Sequence, residues 1–407
     1  MNFKRYIVIV VAAMMAMGTW AQNATSSPSS RFGYGELNDN LPTAYRAMGG
    51  IGLGMRSNKA INPAQPASYT ACDSMTFMFD IAGSFLYTNY GDSYGERNRL
   101  NGNLEYVTMQ FPLWRQHIAF SAGVTPYSAV GYNFSLSDSI NSDYHYTHTY
   151  SGEGGFTQVY GGLSFNICDW VALGVNAYYM FGDMTKMRTQ TFAETSAKGA
   201  SQKDYLSISS LRLRYGMQFF HTFGKHTVVL GGVFENKQRF SNSHHEQIET
   251  TTNDTVSTMD NAFELPRMYG AGVSYIYADR LTVALDYQCQ DWTKTAYFDK
   301  QDVLRARQRW ALGMEYRHDP LGRGYIDRVC WRLGANYSNS YAMTSDIPEF
   351  GLSLGFGLPL RTVATMINLT VEYAHRGALK QEALSENSLR LVISAAISEN
   401  WFFKRKL

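Results

Sequence analysis

His117 and Ser121 are the residue types of an acyl-transfer pair and fall on one face of a short stretch. Such chemistry needs a serine activated by a base that a third group orients. The chain carries no Gly-x-Ser-x-Gly elbow, so the pair is read as chance neighbours and no enzyme is expected. Four cysteines, Cys72, Cys168, Cys289 and Cys330, are scattered without a Cys-x-x-Cys pair or companion histidines. The common zinc spacings are absent, and the thiols read as small apolar fillers. A disulfide stays open in an oxidising compartment. His244 and His245 lie in a polar stretch and read as solvated, so neither metal nor cofactor is expected. What remains is charge. Arg212, Arg214, Asp286, Arg309, Glu315, Arg332, Glu372 and Arg390 occupy alternate positions inside otherwise apolar segments. Mixed charge on one face suggests ion pairs inside an enclosed space. An arginine there also suits a ligand carboxylate.

The elements that carry these residues show a period of two. Leu211, Leu213, Tyr215, Met217 and Phe219 alternate with Arg212, Arg214, Gly216 and Gln218. Leu281 to Cys289, Trp310 to Tyr316, Trp331 to Tyr337, Ile367 to Tyr373 and Leu389 to Ile397 repeat the pattern. The segments often reach ten residues, as tilted membrane strands require (~9–11), whereas sandwich strands average about 5–6. Connections alternate between short and long. Pro112–Trp114, Cys168–Asp169, Phe223–Lys225, Ala278–Asp279 and Leu358–Leu360 are short. Thr88–Asn101, Lys186–Asp204, Ser241–Glu264, Thr293–Asp302 and Ala374–Glu386 are long and polar. Short turns at one end and long loops at the other are the outer-membrane arrangement. The expected fold is all-β: a transmembrane antiparallel β-barrel of about 14 strands, the first near 75–88 and the last near 387–403. An even count puts both chain ends in the periplasm.

Composition agrees. Charged residues are 17% of the 407, below the ~25% usual in soluble domains, while aromatics reach 14%. Lys+Arg (36) nearly balances Asp+Glu (34), which gives a nucleic-acid partner no basic patch to bind. Lys4-Arg5, the apolar run Tyr6–Met17 and Thr19-Trp20-Ala21 follow the grammar of a secretory signal peptide. The expected organisation is therefore 1–21 signal peptide, 22–72 leader and hatch, and 73–407 barrel, in the outer membrane of a Gram-negative cell. Membrane lipids are the implied surroundings. Trp401-Phe402-Phe403 resembles the terminal signal read by the outer-membrane insertion machinery, with Lys404–Leu407 running past it.

Gln22–Ser30 is Ser-rich and read as mobile. Residues 31–69 are not: Gly33, Gly35, Gly49, Gly50, Gly52 and Gly54 alternate with apolar side chains, and Asn62-Pro63-Ala64 follows. A segment this apolar is expected to fold back into the barrel as a plug. Here the sequence resembles the FadL family of outer-membrane transporters. Arg46-Ala47-Met48-Gly49-Gly50 with Asn62-Pro63-Ala64 before the first strand looks like that family's hatch. Leu265-Pro266-Arg267-Met268-Tyr269-Gly270, then Leu281–Tyr287 and Trp292, is similar to its Pro-led strand pair. Gly155–Phe165 with Trp170–Gly182 looks like its central hairpin. The resemblance covers most of the chain after residue 21. It implies a 14-stranded barrel with an N-terminal hatch and passive uptake of hydrophobic small molecules such as long-chain fatty acids, with an apolar pocket, hatch movement and sideways exit. The candidate pocket residues are Phe32, Tyr34, Tyr45, Met48, Ile51, Leu53 and Met55. The other reading is a non-transport barrel acting as a structural or secretion-system partner protein, in which long polar loops such as Ser241–Glu264 would dock the partner.

Overall fold

The alternation closes into a cylinder. A computed structural model describes residues 25–92, 95–141, 144–192, 199–239, 241–250, 254–260, 263–297, 300–320, 322–342, 348–360, 365–377 and 385–400. Residues 1–21, expected to be a signal peptide, and the aromatic C-terminus lie outside them.

Fourteen antiparallel strands form the wall. They are β1 Thr76–Asp92, β2 Gly95–Trp114, β3 Ile118–Asn141, β4 Tyr144–Cys168, β5 Val171–Phe192 and β6 Ala200–Phe223. β7 comes in two pieces, His226–Glu235 and Ser241–Thr250, as does β8, Asp254–Asp260 and Arg267–Tyr277. Then follow β9 Leu281–Asp291, β10 Arg307–Tyr316, β11 Cys330–Asn339, β12 Pro348–Pro359, β13 Met366–Arg376 and β14 Ser385–Asn400. β14 pairs with β1 from Asn400↔Thr76 to Ser385↔Gly91, which closes the barrel. Leu211, Leu213, Tyr215, Met217 and Phe219 point outward, while Arg212, Arg214 and Gln218 are buried in the lumen. On the outer face Tyr287 packs on Trp310 across the β9/β10 ladder, ring centroids 4.4 Å apart. An apolar exterior around a polar interior is the division a bilayer imposes.

The wall is uneven in height. β3 to β6 have 24, 25, 22 and 24 residues, while β9 to β13 have 10 to 12. The stretches Thr88–Asn101, Lys186–Asp204 and Ser241–Glu264, expected as loops, are mostly strand. Their polar residues are not loop residues; they belong to strands that continue past the apolar band into water. His245 sits on such a strand, bonded to Ser243 and Thr258, and its neighbour His244 is buried against Asp204 rather than solvated. Thr293–Asp302 contains only an isolated bridge, Tyr297↔Lys300.

Candidate functional site

Residues 25–72 thread through the lumen, and the site is the contact between this hatch and the wall. Tyr45, Met48, Ile51 and Met55 pack with Ala44, Ala60, Ala284 and Ala311. Leu53 packs on Val233 and Met268. Tyr34 joins an aromatic cluster with Phe156, Phe263 and Trp292. Six of the seven apolar candidates therefore lie in three separate packing clusters. Phe32 alone of the seven lines the main cavity.

Close approach of hatch to wall depends on a small hatch residue. Gly49 has φ +72°, and a Cβ on it would lie 2.5 Å from the Ala335 carbonyl oxygen and 2.6 Å from that of Leu312. Only glycine adopts that backbone at little cost. The motif residues fasten the next turn. Asn62 donates from Nδ2 to the Gly52 carbonyl at 2.7 Å. The Pro63 carbonyl accepts from the Tyr178 hydroxyl (2.8 Å) and the Asn176 amide (2.9 Å). The Ala64 carbonyl accepts from Arg214 at 3.2 Å.

Charge does the rest. Arg46 on the hatch meets Glu372 through two N–H···O contacts of 2.7 Å and Glu105 through one of 2.8 Å. The Asp286 carboxylate accepts the backbone N–H groups of Gly52 and Leu53 (2.6 Å each) and Gly54 (3.2 Å). Arg309 donates to the carbonyls of Gly49 and Gly50 at 2.8 Å and pairs with Asp39 at 3.1 Å. Arg212 and Arg214 share Glu235. Glu315 holds Arg332 at 2.6 Å and Arg317 at 3.2 Å. Arg390 reaches Glu105 at 3.7 Å. All eight expected lumen charges thus face inward, and most grip either the hatch or one another. Sequence reading missed Asp39, Glu105, Glu235, Arg307 and Arg376. Glu235 was findable, since it ends an alternating run opposite Arg214. The pairing of Asp39 and Glu105 depends on the path of the hatch.

From Thr25 on the leader is anchored, contrary to the mobile reading of Gln22–Ser30, whose first three residues lie outside the described ones. Thr25 donates to Glu36, Ser27 to Glu386 and Ser29 to Glu386 again, at 2.6 to 2.8 Å. Glu386 lies at the long-hairpin end, across from Tyr90. Asn400 lies at the short-turn end, across from Thr76. Thr25 and Asn400 are thus at opposite ends of the barrel. The chain ends themselves lie outside the described residues; within these, rim carboxylates hold the leader serines at the long-hairpin end. Burial raises the pKa of Glu36, but the charge of Arg376 and the Thr25 hydroxyl more than offset this and leave it below the usual carboxylate range. Asp39 follows the same balance against Arg307 and Arg309 and ends well below. Burial brings Arg56 down to about 10; its guanidinium lies over the Phe220 ring at 4.0 Å.

Two consequences follow for passage. A cavity of about 290 Å3 remains, lined by eleven charged side chains, Glu36, Asp39, Arg46, Glu105, Arg307, Arg309, Glu349, Glu372, Arg376, Glu386 and Arg390, by serines and asparagines, and by apolar residues that include Phe32, Leu37, Leu41, Leu86, Leu104 and Leu352. Two further voids of about 10 Å3 each have room for a single water. The wall also has an open seam. β2 and β3 pair only from Trp114↔Ile118 to Val107↔Val124. Above that point the edge of β3 takes the leader instead, Glu36↔Ala129 and Leu37↔Ser128. Asn103, Glu105, Ser128 and Ala129 of the seam line the polar cavity. Irregular backbone at membrane depth is tolerated where it lines such a space.

The remaining candidates carry no catalytic geometry. Ser121 donates to the Met109 carbonyl and meets the Tyr160 hydroxyl, while His117 lies against Trp114. The four cysteines are unlinked.

Fold and site together define a class: a plugged fourteen-stranded outer-membrane barrel of the FadL type. The chain belongs to the BamG family, whose model matches residues 3–407. Solved structures share the fold at low identity. The Pseudomonas putida toluene transporter TodX aligns at 12% identity over 89% of this chain and 98% of its own, TM-score 0.61. A Pseudomonas aeruginosa FadL homologue aligns at 12% over 90% and 99%, TM-score 0.60. The CymD monoaromatic hydrocarbon channel aligns at 13% over 89% and 99%, TM-score 0.58. The curated proteins contain no match to this sequence.

Proposed function

We propose that this chain is a FadL-type barrel closed to free passage, and that it works in the outer membrane by holding another protein at its long-hairpin end. The observation that carries this is the hatch. Most of its apolar candidates are spent on packing, its backbone is gripped by Asp286 and Arg309, and the space left over carries many charges among its apolar side chains. A hydrophobic ligand wants an apolar pocket with a few polar groups, whereas this cavity sets eleven charged side chains among its apolar ones. The tall wall of β3 to β8 adds surface beyond the membrane, where a partner would meet it. The test is affinity purification after crosslinking in the native membrane, with uptake measured in parallel on reconstituted vesicles. A stoichiometric protein partner and no toluene or fatty-acid uptake are expected. Saturable uptake with no protein partner would sink the reading.

A second reading is passive uptake of hydrophobic small molecules, long-chain fatty acids included. Two observations favour it. The aromatic cluster of Phe156, Phe263, Trp292 and Tyr341 packs around Tyr34 of the hatch, and the β2/β3 seam offers a sideways exit. A hydrophobic molecule extracted from the purified barrel would support it. In either reading the chain is taken to catalyse no reaction, and Ser27 is held by Glu386 at the long-hairpin end.

A further inference from the structure

We propose that the upper piece of β8, Asp254–Asp260, is an open sheet edge that accepts an extended strand of a second protein, one bearing basic side chains. The inference rests on the partner-holding reading and names where and how the partner attaches.

Above the apolar band, β3 to β8 form a free-standing sheet. Its two outer edges are treated differently. On the β3 edge the protein adds a strand of its own, Glu36–Leu37. On the other edge, Asp254–Asp260 pairs with Ser241–Thr250 of β7 from Asp260↔Ser243 to Asp254↔Glu249. β7 is in turn paired to β6. The next barrel strand, β9, ends at Asp291 across from Arg267. From Trp292 the chain turns inward, where Trp292 and Ala296 are buried. Among the described residues no ladder covers the outer side of Asp254–Asp260.

Natural sheets blunt such edges with lysine, proline or a bulge. Thr255-Val256-Ser257-Thr258-Met259 has none of these and runs in unbroken register, every residue exposed. Val256 is 64% exposed in water, where no lipid explains it. An unprotected, β-prone edge is the substrate of strand addition, in which main-chain bonds supply affinity and flanking side chains supply choice.

Charge selects the occupant. From Ser241 to Asp260 the sequence holds Glu246, Glu249, Asp254 and Asp260 and no lysine or arginine. A second copy is disfavoured: antiparallel pairing of two such strands centred on Ser257 would set Asp254 opposite Asp260 at both ends, and like charges directly opposite destabilise. A partner strand flanked by lysine or arginine gains from the same positions.

The test uses the full chain in its native membrane, with a photoreactive phenylalanine analogue at Val256 and a control at lipid-facing Leu312. The expected result is one protein adduct from position 256, mapped to an extended segment containing Lys or Arg, and none from 312. Proline placed in turn at Thr255, Ser257 or Thr258 should cut adduct yield at least tenfold in one or more variants. Thr258→Lys should also cut it. The heat-dependent gel mobility of the folded barrel should stay unchanged. Adducts only to lipid or to a second copy overturn the proposal, as does undiminished yield in all four variants. If a partner co-purifies yet never crosslinks here, this edge is wrong and the broader reading stands. If no partner co-purifies, both fall.

Discussion

Arg46 and Glu372 meet fork to fork, two N–H···O contacts of 2.7 Å joining the hatch to β13. Glu105 takes a third donor of the same guanidinium. Both partners are largely buried, so the pair cannot be judged as a surface ion pair of ~0–1 kcal/mol. Removing one member of a buried pair costs about 3–5 kcal/mol because the other charge is stranded. Arg46→Ala should therefore loosen the hatch by that order, leaving Glu372 and Glu105 facing each other. The check is planar-bilayer conductance: the wild type is expected to be nearly silent and the variant to flicker open. An equally silent Arg46→Ala would show that packing alone holds the plug.

Asp286 is a different device, because it grips backbone rather than charge. Its carboxylate accepts three consecutive N–H groups, Gly52 to Gly54. Hydrogen bonds to a charged group contribute about 1.5–3 kcal/mol each. Asp286→Ala should release this turn more than Asp286→Asn, which keeps an acceptor. Limited proteolysis between Gly50 and Asn58 reads the difference, and equal cleavage of the two variants would argue against it.

The barrel was legible and the inner contacts were only half so. A period of two over Leu211–Phe219 reports a face in contact with lipid, since burial on one side acts on every second residue. Register and strand count follow from where that alternation breaks. The same logic found Arg212, Asp286 and Arg332 as inward residues. It could not pair them, because Asp286 is bonded to residues more than 230 positions away, and no local period encodes that. It also misjudged the tall strands. Ser241–Thr250 is polar on both faces, so outside the bilayer its strand character leaves no apolar alternation. The apolar hatch residues invited a ligand-pocket reading. Met48 and Ile51 are apolar because Ala284 and Ala311 press on them, and sequence alone does not separate packing from binding.

Gly49 tests the steric side. Its left-handed backbone and its fit against Ala335 and Leu312 leave no room for a methyl group. Gly49→Val combines strain of about 1–3 kcal/mol for the backbone with overlap of the wall. The expected outcome is a barrel that still shows heat-dependent gel mobility but whose hatch is displaced, seen as faster proteolysis near Gly49. Gly224→Ala, at an open turn with nothing within 4 Å of the added carbon, should leave the hatch untouched.

Acid should act on the hatch later than on ordinary carboxylates. Glu36 and Asp39 both titrate below their usual range in the folded chain, since the charges of Arg376 on one side and of Arg307 and Arg309 on the other outweigh burial. A carboxyl whose folded pKa is depressed contributes stability above its unfolded value, ~4, and loses it as pH falls through the folded one. The leader should thus stay seated from neutral pH down to about 4 and come free only below that. Asp39→Asn removes one of the two terms and leaves Arg307 and Arg309 without their carboxylate. It should weaken the leader already at pH 7 and flatten the acid response. The measurement is protease cleavage of residues 25–40 between pH 7 and pH 3. Release of the wild-type leader well above pH 5 would mean that other groups hold it.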